Sequence, residues 1–305
     1  MTKKTRNWLI VLLSIPAAVV IAIVGLLIFL ELQPLPPIQP LPNPNGYDDL
    51  VKAGKMIKGD VWDYDKANLE KLRGIVLTNA TALALARTAL SDQCAVTLQF
   101  SRAHLTNHLS ELIGFRKLAQ AFASEGKFAE MENRFDDAAK SYLDAIHFGN
   151  EVRRGGVIMD EMIGIAIESE GLEQLQKIAG QLDVKTCRET AATLEILSSQ
   201  RQTWNETMQQ ENTWSRRTFS GLQGQTIRLY YKLVYYRTRE RNHQRAIDTI
   251  KSTQKKENQL LTNLAARAYE LDKGHRPANL ADLVPDYLKA VPQDSSTGTN
   301  MVYLP

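Results

Sequence analysis

No proline occurs between Pro44 and Pro277, and this long proline-free stretch is the strongest constraint on the fold. Proline inside a helix removes a backbone hydrogen bond and clashes with the preceding turn, so its absence permits long helices. Apolar residues recur there at helical spacing, for example Leu69, Leu72 and Val76. The stretch contains no long alternating run of the kind that predicts a β-strand. We therefore predict a mainly α fold.

Turn-forming residues divide this stretch into helical hairpins. We predict turns at Asn133, Gly149, Gly155-Gly156 and Gly180, and helices over residues 47–58, 65–90, 103–131, 135–153, 156–181, 184–215 and 225–272. The segment Arg134–Ala145 places small alanines where two helices would touch, and it resembles the second half of a tetratricopeptide-type unit. No second copy follows at that period. We therefore expect a tetratricopeptide-like hairpin domain, not a repeat array.

The segment from Trp8 to Leu30 carries no charged residue. As a helix it would span about 34 Å, against roughly 30 Å of hydrocarbon in a bilayer. A cleaved signal peptide is the alternative, but its apolar core is shorter and precedes small residues. The run therefore predicts a transmembrane anchor over residues 8–30, with the lipid bilayer as a partner through Trp8 to Leu30.

The charges on either side of this run predict an orientation. Lys3, Lys4 and Arg6 precede it and Glu31 follows it. Because cytoplasmic flanks carry an excess of basic residues, residues 1–7 should be cytoplasmic and residues 31–305 extracytoplasmic, on the periplasmic side. The same three cations account for the formal net charge of +3, so the rest of the chain is balanced. A general attraction to nucleic acid is therefore not supported.

Proline distribution divides the remainder into three parts. Six prolines from Pro34 to Pro44 predict an extended spacer over residues 31–46. A helical ectodomain over residues 47–272 follows, and then a tail over residues 273–305 in which prolines return. In the tail we expect a brief helix at Leu280–Val284 and short strands around Val291 and Val302.

The chain has two cysteines, Cys94 and Cys187. An oxidising compartment would permit a disulfide between them. Two separately buried thiols are the alternative, since free cysteine is common in helical cores.

Two resemblances concern the tail and the whole layout. Residues 271–294, with Tyr287-Leu288 and Pro292 before Asp294, resemble the tail of type II secretion major pseudopilins. That family's processing glycine is missing at the edge of the apolar run, and the loop from Asp294 to Gly298 offers one carboxylate, so no calcium site is implied. The layout resembles uncharacterised planctomycete-type single-pass membrane proteins through residues 45–51, 72–94 and 136–145 and this tail. That resemblance implies architecture and no catalytic residue.

Candidate chemical sites are few. His104 and His108 lie one helical turn apart, with Glu111 beyond them, and could share a metal. Two exposed or capping histidines are the alternative that we favour. An acidic set on one predicted helix could serve as acid and base in a hydrolase, against the favoured alternative of a solvated face: Asp160, Glu161, Glu168 and Glu170. We predict no catalytic residue, no metal and no cofactor.

The stretch from Arg216 to Lys256 interleaves basic residues with tyrosines. It provides a candidate interaction surface at Arg228, Tyr231, Lys232, Tyr235 and Arg239. Three alternatives follow: packing against the acidic region over residues 120–183, contact with a partner or with anionic headgroups, or nucleic-acid binding. We disfavour nucleic acid because of the predicted compartment.

These features together predict a membrane-tethered, non-enzymatic interaction or scaffold protein of the cell envelope, whose partner is an unknown envelope protein. The alternatives are an accessory component of a type II secretion or pilus-like apparatus, and an envelope hydrolase with an unrecognised carboxylate site.

Overall fold

The computed structural model describes residues 3–32, 34–35, 37–38, 40–294 and 298–301. Within those residues the chain forms α-helices and no β-strand, which confirms the mainly α prediction. The α-helices are α1 (Lys3–Leu32), α2 (Gly46–Met56), α3 (Leu69–Leu90), α4 (Arg102–Met131), α5 (Phe135–Glu151), α6 (Ile158–Ile178), α7 (Val184–Ser199), α8 (Trp204–Thr218), α9 (Gly221–Val234) and α10 (Tyr236–Lys273). Short 3-10 helices cover Tyr64–Lys66, Ala179–Gln181 and Leu280–Leu283.

The predicted transmembrane anchor is corrected by the structure. α1 extends beyond the predicted segment at both ends, so Lys3, Lys4, Arg6 and Glu31 belong to the same helix as the apolar run. Over the residues whose placement is described, no helix combines the length and the apolarity needed to cross a bilayer. The single-pass anchor at Trp8 to Leu30, and the extracytoplasmic placement of residues 31–305 that depended on it, are therefore wrong.

Two predicted helices are each divided in the structure. The predicted helix over residues 184–215 is α7 and α8, because Thr203 and Glu206 form a reciprocal capping box that starts a new helix. The predicted helix over residues 225–272 is α9 and α10, which meet at the non-helical residue Tyr235. The capping box was readable from the sequence, whereas nothing local marks the break at Tyr235.

The helical hairpin formed by α4 and α5 turns at Asn133, whose φ of 59° lies in the left-handed region. Ala138, Ala139 and Tyr142 on α5 are fully buried. The small alanines therefore do lie at a helix contact, where α5 packs against α4.

Two main clusters of buried apolar residues support the helices. One joins α2, α3 and α4 to one side of α5, and it includes Leu50, Leu83 and Phe115. The other joins α6, α7 and α10, and it includes Leu194 and Leu264. Tyr142 and Ile146 of α5 belong to the second cluster, while Phe148 belongs to the first. α4 and α6 also contribute residues to both clusters, so the two halves share α4, α5 and α6.

The tail packs against the second cluster. Leu280, Leu283 and Leu288 are buried there, and the Tyr287 hydroxyl donates to Asp272 Oδ2 over 3.0 Å. A 3-10 helix replaces the predicted brief helix. The predicted strands do not form in the described part of the tail, where a lone antiparallel bridge joins Gln293 and Asn300. Val291 is not in a strand, and Val302 lies outside the described residues.

The two cysteines are free and buried in different clusters. Cys94 belongs to the first cluster and Cys187 to the second. Of the two alternatives drawn from the sequence, the structure contains the separately buried thiols.

α5 and α6 cross at two glycines. A Cβ at Gly164 would lie 2.5 Å from the Gly149 carbonyl oxygen, and a Cβ at Gly149 would lie 2.7 Å from the Gly164 carbonyl oxygen. Such distances are too short for real contacts, so the crossing requires glycine on both helices. Gly149, predicted as a turn, is therefore inside α5 for a packing reason.

Gly164→Ala should destabilise the protein by about 1–3 kcal/mol, because the added methyl must separate two backbones. Urea unfolding would measure this. Gly74→Ala on α3 is the matched control, since a Cβ there meets nothing within 4 Å. That substitution should stabilise the helix by about 0.5–1 kcal/mol, and equal losses for the two variants would contradict the packing argument.

Candidate functional site

The two histidines on α4 are buried, not exposed or capping. His108 Nδ1 lies 2.9 Å from Glu111 Oε2, and its Nε2 lies 2.5 Å from Asp160 Oδ1 on α6. Both ring nitrogens thus face carboxylate oxygens, an arrangement that suits the protonated imidazolium with two N–H donors. Burial alone would lower the pKa of His108, but the hydrogen bonds and charges of Asp160 and Glu111 outweigh it and raise that pKa.

His104 stacks on His108, with ring centroids 4.7 Å apart, and the centroid of the tilted Trp214 ring lies 6.1 Å from that of His104. Burial, and then the charge of His108, lower the pKa of His104. The pKa values of the two stacked rings are therefore shifted in opposite directions. Across the described residues, no group of histidine, cysteine and carboxylate side chains is arranged to hold a metal ion.

The acidic residues of α6 do not form a solvated face. Asp160, Glu161 and Glu168 are each at most 2% exposed. Asp160 Oδ2 also accepts from the Val157 backbone N–H over 2.8 Å, so one carboxylate caps α6 and pairs with His108. The favoured interpretation of these residues was wrong because the sequence pattern shows spacing, not the partners that the fold supplies.

Two arginines pair with these carboxylates inside the protein. Arg153, 1% exposed, donates through Nη1 to Glu161 Oε1 over 3.3 Å and through Nη2 to Glu168 Oε2 over 2.8 Å. Arg201 donates through Nη2 to Glu168 and, over 2.9 Å, to Glu257 Oε2 on α10. We call these five residues the buried ionic cluster.

The buried ionic cluster has three carboxylates for two guanidinium groups. Burial raises the pKa of Glu161 despite the opposing charge of Arg153. Burial likewise raises the pKa of Glu257, against the charge of Arg201. Thr207 on α8 donates a further hydrogen bond to Glu161 Oε2 over 3.1 Å. The cluster therefore fixes α6 relative to α8 and α10.

A cleft of about 890 Å³ opens between α6 and α10; we call it the α6–α10 cleft. Its apolar floor includes Met162, Ile165 and Ala166, and its rim includes the charged residues Glu170, Glu173, Arg245, Asp248 and Lys256. Hydroxyl groups of Ser169, Thr249, Ser252 and Thr253 lie between them. This volume falls within the range of typical small-ligand and peptide-side-chain sites.

Hydrogen bonds pre-form one wall of the α6–α10 cleft. Glu170 accepts from Gln120 Nε2 over 2.6 and 2.8 Å and from the Tyr64 hydroxyl over 2.9 Å. Gln174 Nε2 donates to the same Tyr64 oxygen over 2.9 Å. Burial, and then the charge of Glu170, raise the pKa of Tyr64, so the hydroxyl stays protonated.

Part of the predicted spacer lines a second, larger cleft of about 1260 Å³. Pro37, Ile38 and Pro42 form one side of it, and Glu151 and Arg201 contribute to the other. Residues 37–38 and 40–42 of the predicted spacer thus line this cleft beside the helices.

The predicted interaction surface lies on α9 and the start of α10. Tyr231, Lys232, Tyr235 and Arg239 are exposed, and Arg228 is half-buried. Every residue from 230 to 242 is exposed; we call this run the exposed Arg–Tyr segment. Although Lys232 is exposed, partial screening of its amino group from water, followed by the charges of Arg239, Arg228 and Arg216, lowers its pKa.

The predicted packing between acidic and basic regions occurs in part. Lys256 of α10 pairs with Glu173 of α6 and donates to Ser169 Oγ over 3.0 Å. The exposed Arg–Tyr segment lies outside this contact, since all its residues face solvent. Intramolecular complementarity therefore explains the C-terminal end of the basic stretch and not the tyrosine-rich residues 230–236.

Sequence reasoning missed the buried ionic cluster and the role of Tyr64. Arg153 and Glu168 are 15 residues apart, and Arg201 and Glu257 are 56 apart. No helical spacing connects partners at such separations, so no local signal could have paired them.

The structure predicts a pH dependence centred on His108. Its raised folded-state pKa contributes stability that is fully present below the unfolded value of about 6.5 and is lost as pH rises through the folded value. Nuclear magnetic resonance titration of the imidazole rings should show His108 titrating above His104. The reverse order would contradict the pairing with Asp160 and Glu111.

Arg153→Leu should destabilise the protein by about 3–5 kcal/mol, because Glu161 and Glu168 would lose a buried partner. Denaturant unfolding at neutral pH would measure the loss. Arg134→Leu is the control, since its pairs with Glu132 and Asp137 are on the surface. It should cost less than about 1 kcal/mol, and similar losses would show that the cluster contributes nothing special.

Comparison of the chain with family models, with curated proteins and with solved structures found no match. The resemblances to planctomycete-type membrane proteins and to pseudopilin tails therefore stay expectations from the sequence. The function has to be argued from the α6–α10 cleft and the exposed Arg–Tyr segment themselves.

Proposed function

We propose that the chain is a non-enzymatic helical interaction module whose α6–α10 cleft holds an extended segment of a partner protein. The observation that carries the proposal is the cleft itself, about 890 Å³ in volume, between two long helices whose spacing is fixed by buried ion pairs. A rigid groove between helices is the usual binding surface of helical-hairpin modules.

The chemistry of the lining suits a peptide. Hydroxyl groups of Ser169 and Ser252 can both donate to carbonyl groups and accept from amide N–H groups. Apolar residues on the floor, Met162 and Ala166 among them, can receive alternate side chains of an extended chain. Charges of both signs on the rim, such as Glu173 and Arg245, would fix the direction in which the peptide lies.

The hydrolase alternative loses most of its carboxylates. Asp160, Glu161 and Glu168 are buried and paired, so they do not meet a substrate in the cleft. Glu170 does line the cleft, but Gln120 and Tyr64 already donate to its carboxylate. That carboxylate is suited to shaping a wall.

Photocrosslinking from within the cleft tests the proposal. A photoreactive amino acid at Thr249 of the full chain, irradiated in living cells, should give one discrete adduct with a protein partner. Arg245→Glu in the same chain should reduce that adduct roughly tenfold or more, because it reverses a rim charge opposite the bound segment.

Thr238 provides the matched control position, since it is an exposed threonine on the same helix but within the exposed Arg–Tyr segment. The same photoreactive amino acid there should not give the Thr249 adduct. Identical adducts from both positions, or an adduct unaffected by Arg245→Glu, would refute binding in the cleft.

A further inference from the structure

The exposed Arg–Tyr segment has a surface that the rest of the protein does not cover. Six of the seven residues from 230 to 236, all except Lys232, carry large apolar or aromatic side chains that are each 47–70% exposed: Tyr230, Tyr231, Leu233, Val234, Tyr235 and Tyr236. Contiguous apolar exposure of this kind marks an interaction site, since scattered single residues are the usual case on a surface.

Basic residues accompany these side chains. Lys232, Arg237, Arg239 and Arg241 lie in the exposed Arg–Tyr segment with Glu240 as its one acidic residue, so it is strongly cationic. At 100° per residue, Leu233, Tyr230 and Val234 fall on one side of α9 and Lys232 falls on the opposite side. The three arginines follow on the first turns of α10, so an apolar stripe at the end of α9 is continued by cationic residues at the start of the next helix. Apolar and cationic residues side by side are typical of segments that lie at a lipid interface.

We propose that the exposed Arg–Tyr segment binds the headgroup layer of an anionic lipid bilayer from one side, as a peripheral contact. Tyrosine rings and aliphatic side chains would lie at the boundary between headgroups and acyl chains, where amphipathic aromatic side chains are favoured. The arginines would pair with lipid phosphates and carboxylates. This contact needs no helix that crosses the bilayer, and it is separate from the α6–α10 cleft.

The exposure pattern favours this partner over two others. All the residues from 230 to 242 are exposed, on every side of the end of α9 and the start of α10. A fluid headgroup layer can surround such a projection, whereas a folded protein would cover one side. Nucleic acid would pair with the arginines and stack on the tyrosines, but it offers no counterpart to Leu233 and Val234, which are 70% and 57% exposed.

Vesicle co-sedimentation of the full chain tests the proposal. The chain should bind phosphatidylcholine vesicles that contain phosphatidylserine more tightly than vesicles of phosphatidylcholine alone, and added salt should reduce the difference. The combined variant Arg237→Glu, Arg239→Glu and Arg241→Glu should weaken binding to the anionic vesicles by roughly a hundredfold or more, because each cation near the surface contributes about fivefold.

A charge-matched variant separates local contact from net charge. Lys140→Glu, Lys185→Glu and Lys289→Glu together make the same change in net charge at side chains that are 72%, 79% and 71% exposed. Their binding should change less than about threefold. Replacing the three arginines by lysine should preserve binding. Thermal unfolding of both arginine variants should match the parent, since the segment is exposed throughout. The charge-matched lysine variant loses only exposed ion pairs, so it should unfold close to the parent temperature.

Specific results would overturn the proposal. If the variant with three arginines changed to glutamate and the variant with three lysines changed to glutamate lost vesicle binding equally, net charge alone would explain the binding. Binding that does not depend on phosphatidylserine would exclude headgroup recognition. If the arginine variant instead lost binding to a single-stranded oligonucleotide and kept its binding to anionic vesicles, the surface would belong to nucleic acid.

Discussion

The architecture depends on two guanidinium groups held away from water. Arg153 and Arg201 meet at the Glu168 carboxylate, and Arg201 continues to Glu257 on α10. Removing these charges from water costs several kcal/mol for each ion, which only close pairing can offset. The pairing therefore gives one relative position of α6 and α10 a lower free energy than nearby positions. That arrangement sets the width of the α6–α10 cleft. The shape of the binding surface therefore depends on buried ion pairs that a ligand in the cleft would not contact.

The second constraint is the approach of backbones at α5 and α6. Gly149 and Gly164 let the two helices come close enough for Arg153, just beyond α5, to reach Glu161 and Glu168 within 3.3 Å. Apolar packing then continues from this crossing in both directions, since Phe148 belongs to one core cluster and Ile146 to the other. The two cores are thus joined through the helices that they share, α4, α5 and α6.

Local patterns predicted the helical class well. The proline-free stretch and the apolar spacing anticipated most helices, and the capping box at Thr203 and Glu206 could have divided the helix predicted over residues 184–215. Non-local pairing was out of reach, because the partners of Asp160 and Arg201 lie 52 and 56 residues away. For the same reason, the buried carboxylates of α6 were predicted to form a solvated face. The apolar run Trp8–Leu30 predicted a helix with the bounds of the run itself. The helix in the structure is longer and includes the charged residues on either side.

The two thiols provide an independent view of the two cores. Burial raises the pKa of Cys94 to about 12 and that of Cys187 to about 11, so neither reacts readily while its cluster is closed. Cys94 belongs to the cluster around α3 and α4, and Cys187 to the cluster around α7 and α10. The alkylation rate of each cysteine would therefore report the local opening of its own cluster. The protein carries, in its own sequence, one reporter for each half of its interior.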